Sequence, residues 1–325
     1  MKVKVYVQVT RYPIFLAETQ GADAEDFENP RPVIGCGPVI KRVLSAFLAL
    51  TAAGTLAIYL TGWFLSAPVP AKIGPPPSDL GAQSVQFPSE SGAKVHGWWC
   101  PMPGARGSIL LLPGVRANRE SMIERARFLR GAGFSVLLID FQATGETPGD
   151  HITFGWLESR DVLGAITFLR TAAPGEKIGV IGSSLGGAAA LLATPPLRVD
   201  ALVLESVYPT IERATANRLR KYLGPGGELL APVLMAQMRF RIGVSPARLR
   251  PVDRIASVSC PILIINGEKD RNTTREDAAL LLSRAGSPKS LWLIPKAGHV
   301  DLHRAAKTEY EARVGAFFSE VMRLK

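Results

Sequence analysis

The chain has 325 residues, of which 47% are hydrophobic, with 38 Lys and Arg against 28 Asp and Glu for a net charge of +10. That length and apolar content exclude a disordered chain, and three cysteines are too few to frame a disulfide scaffold of this size. The positive charge comes without a recognisable nucleic-acid motif, so nucleic acid is excluded as a partner.

In chain order, residues 1–42 hold six basic and five acidic side chains and show no strong amphipathic period; they read as a short cytoplasmic extension. Val43 to Leu65 follows, 23 residues without a charge. At 1.5 Å per residue this span covers roughly 34 Å, enough for a bilayer core. Only Ser45, Thr51, Thr55 and Thr61 interrupt it, and Tyr59 and Trp63 fall near its far end as interfacial aromatics do. It predicts one transmembrane helix. The rival is a cleaved signal peptide with a weak small-residue site at Val69, Pro70 and Ala71, but the run exceeds the usual 7–15 apolar residues of such a segment. Arg31, Lys41 and Arg42 precede the span and only Lys72 follows closely, which places the N-terminus in the cytoplasm and the rest of the chain outside, at the cell membrane. Residues 66–83 carry Pro68, Pro70, Pro75, Pro76 and Pro77 and predict a stiff, extended tether.

Residues 84–325 suit one α/β domain. Ser84–Phe87 and Lys94–Cys100 read as a starting hairpin. Strands follow at Ser108–Leu112, Ser135–Asp140, Ile178–Ser183, Ala201–Leu204, Pro261–Asn266 and Leu291–Ile294. Helical patterns fall between them at Glu120–Ala132, Leu157–Thr171, Leu185–Ala193 and Thr274–Ser283, and Tyr310–Leu324 closes the chain. Continuous apolar strands separated by helices imply a mostly parallel sheet covered on both faces. Residues 206–259 break the alternation with helical patterns at Thr210–Tyr222 and Leu229–Phe240, an insertion rich in arginine interleaved with Leu, Met and Phe. The plain reading is a solvated basic face on a helical cap; the sharper one is a cap that rests on anionic lipid or admits an amphiphilic substrate. Subtracting the N-terminal extension leaves 32 basic and 23 acidic side chains, a net +9, on residues 43–325. Cys100 and Cys260, at strand ends, read as buried thiols.

Three motifs carry chemistry. Ser184 centres Gly182, Ser183, Ser184, Leu185, Gly186, between an apolar strand and a small-residue helix. A serine on so sharp a turn needs small neighbours two residues to either side, and the turn thrusts its hydroxyl clear of the backbone. Centring the motif on Ser183 instead puts Ile181 and Leu185 where glycine is required. The Leu185 amide falls at a helix N-terminus, where an unpaired N–H and the helix dipole can meet an oxyanion. Asp270 follows the strand at Pro261–Asn266, and His299 follows the strand at Leu291–Ile294, so the order is Ser184, Asp270, His299.

With that order and those settings the chain resembles the α/β-hydrolase superfamily over roughly residues 82–325, and most closely its bacterial serine hydrolases of the monoglyceride-lipase-like and serine-aminopeptidase-like kind. The resemblance implies an α/β-hydrolase fold with Ser184 as nucleophile, His299 as general base and then acid, and Asp270 orienting the imidazole. A second oxyanion donor comes in this family from the loop after the third strand, usually opened by His-Gly. Here that loop reads Leu112, Pro113, Gly114, Val115, which leaves the Val115 amide as the donor and Pro113 as a departure. Glu205, one strand earlier, is the alternative acid. Asp301 reads as a helix cap or surface residue, and His96, His151 and His303 as structural or solvent-facing.

These residues predict a membrane-anchored serine hydrolase of carboxylic esters, working through an acyl-enzyme on a small-molecule or lipid-like ester. Amide or peptide cleavage and acyl transfer use the same three groups and stay open. So does a catalytically silent fold serving as a binding module, which Pro113 favours. No cofactor is implied, and no spacing of Cys or His points to a metal. The oligomeric state is left open.

Overall fold

The computed structural model describes residues 37–322; of the extension expected at residues 1–42, residues 1–36, including Cys36, lie outside the described residues, and residues 37–42 belong to the first helix. The described residues divide into two units, with the boundary between Ala52 and Ala53. Helix α1, Gly37–Ser66, is a single 30-residue helix, long and apolar enough to cross a membrane. Beyond it, β1 (Val69–Pro70) pairs in parallel with β6 (Thr144–Gly145), so the Pro-rich segment is extended where it docks on the domain, and it ends in a 3-10 turn at Ser78–Leu80. Ile73 and Leu80 of this segment are buried.

The domain continues through β2 (Gln83–Pro88), β3 (Lys94–Cys100), β4 (Ser108–Leu112), α2 (Ile123–Gly131), β5 (Ser135–Ile139) and, after β6, α3 (Glu158–Ala172). Then come β7 (Ile178–Ser183), α4 (Leu185–Leu192), β8 (Ala201–Glu205), the cap helices α5 (Ile211–Leu223), α6 (Ala231–Ala236) and α7 (Met238–Ile242), β9 (Ile262–Gly267), α8 (Arg275–Arg284), β10 (Lys289–Ile294), α9 (Leu302–Ala305) and α10 (Lys307–Val321). Eight strands form one sheet in the order β10-β9-β8-β7-β4-β5-β3-β2. Only β3 runs against its neighbours; the other pairings are parallel.

The continuous apolar strands are explained by two cores, one on each face. Leu110, Leu112, Val180, Leu202 and Leu204 point to the face covered by α3, α4 and α8. Their alternates Ile109, Leu111, Ile181, Val203 and Ile265 pack with Phe134, Tyr310 and Phe318 on the other. With side chains alternating at period two, both faces must be apolar for a strand buried on both sides. Helix starts are set locally: Thr274 closes a capping box with Asp277 ahead of α8, and Thr210 accepts from the Arg213 amide ahead of α5.

Two helical expectations resolve differently. The single helix expected at Leu229–Phe240 is a 3-10 turn at Gly227–Leu230 followed by the short α6 and α7. Pro232 accounts for the first break, because it lacks an N–H and is accommodated in the first turn of a new helix. The segment at Glu120–Ala132 likewise divides into a 3-10 turn, Arg119–Met122, and α2.

Candidate active site

The strand register brings four loops to one edge of the sheet. β4, β7, β8, β9 and β10 run in parallel, so Val115, Ser184, Asp270 and His299 all follow carboxyl ends of strands, where open α/β sheets place their ligands.

Ser184 bridges β7 and α4 with φ 47° and ψ −106°. A side chain in that region carries about 1–3 kcal/mol of strain, which persists only where the surroundings over-determine it. They do so here. The Ser184 amide donates to the Glu205 carbonyl at 2.7 Å, and its carbonyl accepts from the Ala188 amide at 3.0 Å. A Cβ on Gly182 would stand 2.5 Å from Gly187 Cα, and one on Gly186 would stand 2.5 Å from the Leu112 carbonyl oxygen. The turn is tight enough that both flanking positions must be glycine.

Asp270 is buried and His299 partly exposed, with His299 Nδ1 2.7 Å from Asp270 Oδ2. Three more donors converge on the carboxylate: the Asn272 amide at 2.8 Å and the Thr273 amide at 3.0 Å on Oδ1, and the Thr273 hydroxyl at 2.8 Å on Oδ2. Burial pushes the Asp270 carboxyl up, but the His299 ring and the Thr273 donors outweigh it and hold the group below its ordinary value. The ring's hydrogen bonds, to Asp270 and at 3.3 Å to Thr273 Oγ1, both use Nδ1, and none joins Nε2 to Ser184 Oγ.

The loop after β4 passes against the serine turn: a Cβ on Gly114 would lie 3.9 Å from Ser184 Cβ. Val115 and Leu185 line the same pocket as Ser184. Among the described residues neither amide donates to a backbone carbonyl outside the regular elements. Pro113 is buried at the end of β4 and cannot donate. The pocket, about 120 Å³ in volume, is mostly apolar and is lined also by Tyr208 and by Leu234 and Met238 of the cap.

The alternative acid, Glu205, is engaged elsewhere. Arg125 donates to both of its oxygens at 3.0 and 2.8 Å, and the Tyr310 hydroxyl adds a third bond. Asp301 caps α9 through the His303 and Arg304 amides and pairs with Arg125 at 2.8 Å. His303 is buried beside Tyr310 and bonded to Glu311, while His96 lies beside Gln86 and Glu146. Cys100 and Cys260 are free, buried thiols, pushed by burial up to about 12 and about 11. Among the described residues no group of three His, Cys, Asp or Glu side chains is arranged to hold a metal ion. Thr273 was not legible as a site residue from sequence; its only signal is a hydroxyl three residues after an acid in a strand-end loop.

Sequence comparison matches residues 109–312 to the alpha/beta hydrolase family. This chain belongs to the α/β hydrolase family. The hydrolase is 28% identical over 266 residues to the uncharacterized Mycobacterium tuberculosis protein Rv2307c, covering 79% of this chain and 87% of that one. It is 24% identical over 233 residues to the uncharacterized Escherichia coli protein YfhR, covering 69% and 76%. Among solved structures it is similar to the Pyrococcus furiosus esterase Pf2001, with a TM-score of 0.67, 25% identity and coverage of 79% of this chain and 99% of that one. The esterase domain of a Rhodothermus marinus protein shares the fold at a TM-score of 0.53 and 21% identity, covering 74% and 100%.

Proposed function

We propose that this hydrolase cleaves carboxylic esters through an acyl-enzyme on Ser184, as a member of the monoglyceride-lipase-like or serine-aminopeptidase-like branch. A serine hydroxyl holds its proton too tightly to attack at neutral pH, so His299 removes it, and Asp270 holds the imidazole with Nδ1 protonated and Nε2 free to accept. Attack on the ester carbonyl produces an oxyanion that the Val115 and Leu185 amides receive. His299 then protonates the leaving alcohol, and water, activated by the same imidazole, releases the acid. The observation that carries the reading is the 2.7 Å contact of His299 Nδ1 with a buried, fully engaged Asp270, on the same sheet edge as a strained Ser184. The likeness to the esterase Pf2001 favours esters over amides.

The test is covalent labelling of the full chain, in detergent, by a fluorophosphonate probe. Labelling at Ser184, lost in Ser184→Ala, is expected, together with turnover across a panel of acyl esters. A chain folded by circular dichroism that takes up no probe while a control esterase does would defeat the reading. It would leave the silent binding module, which Pro113 in the oxyanion loop favours.

We further propose that α1 anchors the enzyme in the cell membrane, with the N-terminus cytoplasmic and the hydrolase domain outside. Lys41 and Arg42 ahead of the uncharged span support that orientation. Protease applied after the outer barrier is opened digests the domain if this is correct; a protected domain overturns it.

A further inference from the structure

The pocket in front of Ser184 is not made by the sheet loops and cap alone. Gly62, Leu65 and Ser66, from the last two turns of α1, form part of its lining. Those turns are tied to both sides of the opening. On the cap side, Gln237 Nε2 donates to the Ile58 carbonyl at 2.9 Å, Arg241 donates to the Tyr59 carbonyl at 3.2 Å, and its guanidinium lies 4.5 Å from the centre of the Tyr59 ring. Gly62 permits this approach, since a Cβ there would stand 2.3 Å from Gln237 Cδ. On the oxyanion side, Arg116 directly follows Val115 and holds φ at 61°. Its guanidinium donates to the Phe64 carbonyl at 2.8 Å and lies 4.6 Å from the centre of the Phe64 ring. The Ile152 amide closes the set on the Ser66 carbonyl at 2.9 Å.

Resting on the serine-hydrolase reading, we propose that the end of α1 is the acyl-chain wall of the active site, and that the substrate is a long-chain amphiphilic ester entering from the leaflet that holds those turns. The chemistry of the occupant follows from the surroundings. Arg116, Arg218, Gln237 and Arg241 border the cavity, but most of the surface it presents is apolar, from side chains such as Leu65, Val115, Leu234 and Met238, which suits an alkyl chain better than a polar one. A bilayer that holds α1 as far as Leu65 reaches the cap residues bonded to Ile58 and Tyr59. The cap there exposes Leu229, Val233 and Phe240, the last 92% exposed, as surfaces that enter a lipid interface do. An ester in that leaflet meets the pocket without crossing water, its carbonyl toward Ser184, the first carbons of its tail against Leu65 in the cavity of about 120 Å³ and the rest of the tail left in the bilayer.

Two experiments on the full chain in phosphatidylcholine nanodiscs test this. The first compares Leu65→Trp with wild type for the ratio of kcat/KM on a long-chain monoacyl ester to that on a butyryl ester. A fall of about 10-fold or more in the ratio is expected, because the added ring occupies space an alkyl tail needs. An unchanged ratio overturns the proposal. The second uses Ser184→Ala and a bilayer lipid bearing a diazirine in its acyl chain, so that the readout needs no turnover. Adducts on Leu65 together with Leu234 or Met238 are expected. Adducts confined to α1 positions outside the pocket overturn the proposal, as does a mature protein whose N-terminus lies beyond Ser66. Loss of wild-type probe labelling, with pocket adducts retained, defeats the hydrolase reading and leaves the lipid-binding wall standing.

Discussion

Arg125 and Glu205 form a buried two-point ion pair, Nε to Oε1 at 3.0 Å and Nη2 to Oε2 at 2.8 Å, that occupies both oxygens of the acid ending β8. Burial works against the Arg125 charge, and Glu205 with Asp301 more than restores it. The pair is therefore structural, and breaking it leaves the buried guanidinium only its bond to the partly exposed Asp301. Glu205→Ala is expected to lower stability by about 3–5 kcal/mol, read as a shift in the urea midpoint, with kcat per folded molecule retained. Asp270→Asn is expected to do the opposite, lowering kcat about 10,000-fold by favouring the wrong imidazole tautomer, with little change in the midpoint. Matching losses of kcat in the two variants would show that the acid has been misassigned.

Thr273 supplies a hydroxyl to Asp270 at 2.8 Å and stands 3.3 Å from His299 Nδ1. Thr273→Val keeps the shape and the backbone amide but removes that hydrogen bond to a charged acceptor. About a 10-fold fall in kcat is expected, with KM unchanged because the group touches no substrate. Steady-state kinetics on a soluble ester separate the two parameters, and a change confined to KM would contradict the assignment.

Gly186 is a position where the turn leaves no room, its Cβ direction ending 2.5 Å from the Leu112 carbonyl oxygen. Backbone cannot rotate away as a side chain can. Gly186→Ala is expected to cost about 1–3 kcal/mol through overpacking and to slow fluorophosphonate labelling by displacing Ser184. Thermal denaturation and labelling rates check both, and an alanine variant that labels at the wild-type rate would show the turn to be more tolerant than its contacts imply.

Asp161 accepts from the Ser89 hydroxyl at 2.6 Å and the Gln142 amide at 2.8 Å. Burial pushes its carboxyl from 3.8 up to about 7, against the pull of those donors. The folded state thus holds this proton more tightly than the unfolded chain does. The stability it contributes is complete below about pH 4 and lost as pH rises through about 7. Asp161→Asn abolishes the titration, so the wild-type Tm minus the variant Tm should shrink between pH 5 and pH 8.5. A difference independent of pH would rule out this carboxyl as the titrating group.

The strand pattern was legible because a strand buried on both faces must be largely apolar without alternation, as residues 109–112 and 178–181 are. The short β1 and β6 pair was not legible, since two residues carry no period and their pairing depends on where the Pro-rich segment docks. The cap's broken helix shows the same limit. Its apolar spacing suits one helix, but Pro232 and the ties of Gln237 and Arg241 to α1 belong to local covalent geometry and to distant contacts respectively.

By itself the sequence determined the alternating α/β architecture, the uncharged span Val43 to Leu65 within α1 and the glycine-flanked serine turn, because each is governed by local period, local charge or the volume of adjacent residues. It also determined that two acids, Glu205 and Asp270, each stand at or just beyond a strand end. Which of them meets His299 was a tertiary decision. β8 and β9 are adjacent strands, and only the packing of Arg125, 80 residues from Glu205, and of Tyr310, 105 residues from it, withdraws Glu205 into an ion pair while Asp270 is left to the imidazole. The end of α1 was settled in the same way: its apolarity is written in the chain, but its place against the serine pocket arises from hydrogen bonds spanning as many as 182 residues, a separation over which no local pattern carries information.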